Sequence, residues 1–191
     1  MEKANAYRLP ALIGISFLLG MGNLRAEDAT ASLSSEAQNA IRLLKAADLY
    51  DRQMGFLLLE SLRDPATLPT IRPYLNDRNS DLRAFAVRAV AAIDGVKAVP
   101  ELVERLKTDK SPTVRIALIL GLETLQDPAV LPALILRLRD RHPEVRMAAL
   151  DAVSRFKDPQ ASKAILTRKR RERNRDVQRV LEDAVRRVQA S

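Results

Sequence analysis

The chain has 191 residues, 47% of them apolar and only 4% aromatic, with six glycines and no tryptophan. That is enough apolar material for a core and too little glycine for a turn-rich β protein, so composition points to helices. The absence of cysteine excludes disulfides and thiolate metal sites. A formal charge of +8, from 32 Lys+Arg against 24 Asp+Glu, favours anionic partners.

Residues 1–26 have the pattern of a secretory signal peptide. Lys3 and Arg8 give a positive start, and Leu9 to Met21 is almost wholly apolar. That run is shorter than the roughly 20 apolar residues a bilayer-spanning helix needs. A cut after Ala26 places Leu24 and Ala26 at the two recognition positions, and a cut after Ala31 places Ala29 and Ala31 there. Both stay open, as does an uncleaved anchor or a short buried helix. Cleavage after Ala26 leaves a charge of +6.

The remainder, 34–191, divides into segments of about 31 residues: 34–63, 64–94, 95–126, 127–157 and 158–191. Asp64-Pro65, Asp127-Pro128 and Asp158-Pro159 open three of them, and Gly95-Val96 opens another. Within each segment a first helix is expected. Leu131, Leu134, Ile135 and Leu138 show the i, i+3, i+4, i+7 spacing of one helical face, repeated by Val99, Leu102, Val103 and Leu106. Leu68, Ile71 and Leu75 follow the same spacing, with Pro73 expected to break or bend that helix.

A second helix follows. Its start is marked by Asp48, Asn79, Ser111, His142 and Asn174, at spacings of 31, 32, 31 and 32. Four of these are favoured N-cap residues, whose side-chain oxygen can accept a free backbone N–H. Pro112 and Pro143 sit directly after two of them, where helices tolerate proline. The expected architecture is all-α, with about five helix pairs stacked so that each covers its neighbour's apolar face.

An Asp-x-x-x-x-x-Arg pattern recurs at each turn between paired helices: Asp77 with Arg83, Asp109 with Arg115, and Asp140 with Arg146. Leu82, Val114 or Val145 precedes the arginine. These motifs resemble the HEAT-repeat family, in particular its short bacterial form and the phycobilisome-lyase HEAT-like group. The resemblance is best over 64–157. It implies a right-handed α-α superhelix in which the aspartates and arginines form a structural ladder. The end repeats depart from the pattern, with Ala46 in the acid place of the first, and Glu172 and Gln178 in the acid and arginine places of the last. Both ends are expected to be polar caps.

The sequence offers little catalytic chemistry. His142 is the single histidine and stands in a cap position. No glycine-rich phosphate loop is present, and the carboxylate pairs Glu101/Glu104 and Glu182/Asp183 lie among basic residues. No catalytic, metal or cofactor site is expected. The His-Glu pairs of HEAT-like hydroxylases are missing, and a lyase-like activity has no nucleophile–base pair to carry it.

One cluster stands apart. Arg168, Lys169, Arg170, Arg171, Arg173 and Arg175 crowd the turn of the last repeat. From Lys157 onward, eleven basic residues face five acidic ones. The cluster is either a solvated cap or a dock for an acidic partner or anionic surface. It lacks the interleaved aromatics of a nucleic-acid stacking platform. The sequence therefore leads to an expectation of a periplasmic or secreted scaffold that binds another protein. Its partner surface is expected along the second helices, at Arg88, Glu123, Asp151 and Arg155. Polyanion binding through the basic end is the alternative.

Overall fold

The structure, a computed structural model, describes residues 33–189, so the expected signal segment lies outside it. Its helices come in pairs. The first pair is α1 (Ser35–Leu44) with α2 (Leu49–Leu62). In the second, α3 (Leu68–Ile71) runs into a 3-10 turn over Arg72–Asn76 before α4 (Ser80–Asp94). Helices α5 (Val99–Thr108) and α6 (Pro112–Thr124) make the third pair. The fourth is α7 (Leu131–Arg137) with α8 (Pro143–Val153), and the fifth α9 (Pro159–Lys169) with α10 (Arg175–Gln189).

Local chemistry explains the ends of these elements. Pro73 has no N–H and its ring clashes with the preceding turn, so α3 stops at Ile71 and the chain tightens to 3-10. Asp64, Asp127 and Asp158 each accept a backbone N–H two residues on, from Ala66, Ala129 and Gln160, at 2.9, 2.8 and 2.6 Å. Asp48, Asn79, Ser111 and His142 all stand as N-caps. Asn79, Ser111, His142 and Asn174 all give their own N–H to the acid two residues earlier, and Asn79 and Asn174 also cap with their side chains.

Helices α2, α4, α6, α8 and α10 pack in series, and each first helix lies against its own partner. The product is an all-α, right-handed superhelix with one continuous core. Ile71, Leu75, Leu102, Leu106, Leu134 and Leu138 supply the first helices' share, all fully buried. Val90, Leu122 and Val153 supply that of the second helices. Among the described residues, no helix is long and apolar enough to cross a membrane.

Close approach dictates small residues along the stack. Ten residues after each cap stand Ala89, Gly121, Ala152 and Ala184, all buried. A Cβ on Gly121 would lie 3.2 Å from the Ala91 Cβ of α4. In the first repeat the same place is held by Leu58, which has no helix pair before it among the described residues and is 38% exposed. Tyr50 and Leu57 are exposed on the same helix. The first repeat is thus not the polar cap expected from the sequence, because α2 keeps an apolar outer stripe at positions where the last repeat has Asp176, Asp183 and the small Ala184.

Candidate functional site

The turns between paired helices carry most of the organised polar chemistry. Arg83, Arg115 and Arg146 project from the first turn of their helices and bridge two repeats. Nη1 of each donates to the carbonyl six residues earlier, in its own repeat: Asp77 at 2.8 Å, Asp109 at 3.0 Å and Asp140 at 2.8 Å. The Nε–Nη2 edge then forks onto the carboxylate of the following repeat. Arg83 meets Asp109 at 3.0 and 3.1 Å, Arg115 meets Asp140 at 2.8 Å twice, and Arg146 meets Glu172 at 2.9 and 3.1 Å. The acid of an arginine's own repeat contributes backbone, and the charge partner comes from the next repeat.

These carboxylates are also held from within their own turns. The N–H groups of Ser111, His142 and Asn174 point at Asp109, Asp140 and Glu172 at 2.8, 3.0 and 2.9 Å. Burial pushes the carboxyls of Asp109 and Asp140 up. Their hydrogen bonds from Arg83 and Arg115 outweigh it, leaving both below the usual carboxylate range. Burial also opposes ionisation of Glu172, but Arg146, the Asn174 N–H and Arg168 lower it to about 2. His142 joins this network, with its Nδ1 2.9 Å from the Arg115 guanidinium, which can only donate.

The ladder therefore reaches the last repeat through Glu172, a longer acid that the sequence pattern treats as a departure. Gln178 keeps the carbonyl contact there, donating to Glu172 O at 2.9 Å. At the other end Arg52 spends its Nε on the Ala46 carbonyl at 2.5 Å. Among the described residues it forms no ion pair with Asp77, whose carboxylate takes the Asn79 N–H instead.

A second, more exposed set of pairs crosses the stacked helices. Arg88 lies 3.2 Å from Glu60, Arg155 lies 3.3 Å from Glu123, and Arg187 lies 2.6 Å from Asp151. Arg88, Glu123, Asp151 and Arg155, the positions expected to meet a partner, are thus engaged with one another's repeats. Sequence spacing does not reveal this, because the members of each pair are 28 to 36 residues apart. Glu101 and Glu104 likewise pair with Arg72 and Lys107.

The basic turn is different. Arg168 is committed to Glu172, with Nε at 2.9 Å. Lys169, Arg170, Arg171, Arg173 and Arg175 are exposed, and among the described residues none has an ion-pair partner. Beside them a groove of about 670 Å³ opens between α7 and α9, with Ile135, Leu138 and Ala164 on its walls among Arg139, Lys163 and Arg171.

Comparison with known proteins agrees with this architecture. A family model described as HEAT repeats matches residues 37–123 and again 99–186. Among solved structures, the chain is similar to a chain of the complex of CpcE and CpcF of phycocyanin lyase from Nostoc sp. PCC7120. The two share 20% identity with a TM-score of 0.65, over 78% of this chain and 98% of that one. No curated protein matches the sequence.

Proposed function

Because this chain belongs to the HEAT-repeat family, we propose that it is a non-enzymatic protein-interaction scaffold, exported to the periplasm or beyond, that grips an acidic partner with the turn of its last repeat. The observation that carries this reading is the contrast in how charges are used. Along the ladder and across the second helices they are mutually neutralised. Lys169, Arg170, Arg171, Arg173 and Arg175 are exposed and, among the described residues, have no ion-pair partner. Five unneutralised cations on one short turn repel each other and attract any polyanion, and guanidinium groups match carboxylate forks. The likeness to a phycocyanin lyase complex supports the fold at 20% identity and does not transfer its reaction.

The test uses the full chain and immobilised polyglutamate. The wild-type protein is expected to be retained at about 50 mM salt and released by about 500 mM, where screening shortens to a few ångströms. A variant with Lys169, Arg170, Arg171, Arg173 and Arg175 all changed to Gln should pass through. Equal retention of the two proteins would overturn the reading. Export rests on Lys3, Arg8 and the apolar run that follows. It is checked by fractionating cells and sequencing the mature N-terminus, and a full-length chain in the cytoplasm would refute it.

A further inference from the structure

Between each ladder acid and the helix cap two residues later lies one residue, and in four successive repeats that residue is a cation: Arg78, Lys110, Arg141 and Arg173. The spacings are 32, 31 and 32, those of the caps themselves. The first repeat has Ala47 there. All four cations are exposed, and among the described residues none of their side chains has an ion-pair or hydrogen-bond partner.

The ladder fixes where they stand. Arg83, Arg115 and Arg146 donate through Nη1 to the carbonyls of Arg78, Lys110 and Arg141 at 3.2, 3.0 and 3.2 Å. The same guanidinium holds the neighbouring carbonyl, so the backbone is pinned on both sides of these three cations, and Gln178 holds the Glu172 carbonyl just before Arg173. The adjacent carboxylates of Asp109, Asp140 and Glu172 are turned onto ladder arginines and do not neutralise the outer row. Clefts open between successive turns, one touching Asp77 and Lys110, the next Lys110 and Arg141.

We infer that this turn edge is a track for an extended acidic polypeptide, gripped once per repeat, with the basic cluster of the last repeat as its terminus. The inference rests on the acidic-partner reading above and adds a length and a register to it. Stacked helices sit about 8–10 Å apart. A polyproline-II segment advances about 3.1 Å per residue with three residues per turn, so acids at every third position share one face about 9 Å apart. Side-chain carboxylates in that phase would meet Arg78, Lys110, Arg141 and Arg173 in order. The row has four members, more than a small carboxylate ligand could use.

Fluorescence anisotropy of two synthetic peptides tests this. Both are rich in proline and have the same composition, one with Glu at every third position and one with Glu at every fifth. The wild-type protein is expected to prefer the first by about fivefold. A variant carrying Arg78→Gln, Lys110→Gln and Arg141→Gln should lose about tenfold in affinity for it, each exposed pair contributing about a factor of two. The preference between peptides should vanish with it, while the unfolding temperature is unchanged.

If this variant binds as wild type while the variant neutralised in the last repeat does not, the track is wrong and the basic dock stands. If neither variant loses binding, both readings fall. Tighter binding of a single-stranded oligonucleotide of equal charge would overturn the choice of a polypeptide partner.

Discussion

At the junction between the first two repeats, Phe56 is fully buried. It sits edge-on to Tyr74 at 5.2 Å and stacks on Phe85 at 6.4 Å, and the Tyr74 hydroxyl donates to the Leu44 carbonyl. At the junction between the last two, the equivalent cohesion comes from a fork of Arg146 onto buried Glu172, reinforced by Arg168. A repeat array needs a cohesive interface at every step, but the chemistry of each step is free to differ. The guanidinium explains where it changes. Arg146 uses Nη1 for its carbonyl and keeps the Nε–Nη2 edge for a carboxylate. Arg52 points Nε at the carbonyl and so has no such edge to offer.

The two ends should respond differently to the same insult. Phe56→Ala is expected to cost about 3–5 kcal/mol, as loss of a fully buried aromatic ring does. Denaturant unfolding would measure it, and a loss below about 1 kcal/mol would show that the aromatic cluster does not hold the first junction. Arg146→Ala leaves the buried Glu172 carboxylate with Arg168 as its one remaining charge partner, and a loss of about 3 kcal/mol is expected.

Acid should separate the ends without mutation. A carboxyl whose folded value is depressed contributes stability above its unfolded value and loses it as pH falls through the folded one. For Glu172 the window runs from 4.5 down to about 2. The whole contribution, roughly 3 kcal/mol, should be present at neutral pH and disappear across that window. Asp109 and Asp140 act in the same direction. Hydrogen exchange near pH 3 should therefore show α9 and α10 opening before α1 and α2, and the reverse order would contradict the comparison.

Smaller effects are expected within the stack of second helices. Ala152→Leu and Leu58→Ala exchange residues at equivalent places in the stack. The first forces a larger side chain between packed helices, with an expected cost of about 1–3 kcal/mol. The second removes a half-covered side chain at the outer end of the described stack, and less than about 1 kcal/mol is expected. Smallest of all, neutralising Lys169, Arg170, Arg171, Arg173 and Arg175 should move stability by no more than about 0.5 kcal/mol, in contrast to Arg146→Ala. A large loss from the neutralised variant would mean the cluster supports the fold and is not free to bind.

By itself the sequence determined the helix pairs, their phase and their starts, because caps, prolines and i, i+3, i+4 apolar spacing act within a few residues of chain. Asp48, Asn79, Ser111, His142 and Asn174 could be found that way, as could the break at Pro73. The arginines of the ladder and the basic turn were legible as types at regular spacing. Their partners were decided only by the tertiary structure, since each ladder arginine reaches an acid 25 or 26 residues away, in the next repeat. The same holds for Arg88 and Arg155, which lie on exposed faces and yet are engaged across repeats, and for Leu58, left half-covered at the end of the described stack. Stacking brings together residues distant in the chain, and local pattern has no means of encoding which edge of a guanidinium will face which carboxylate.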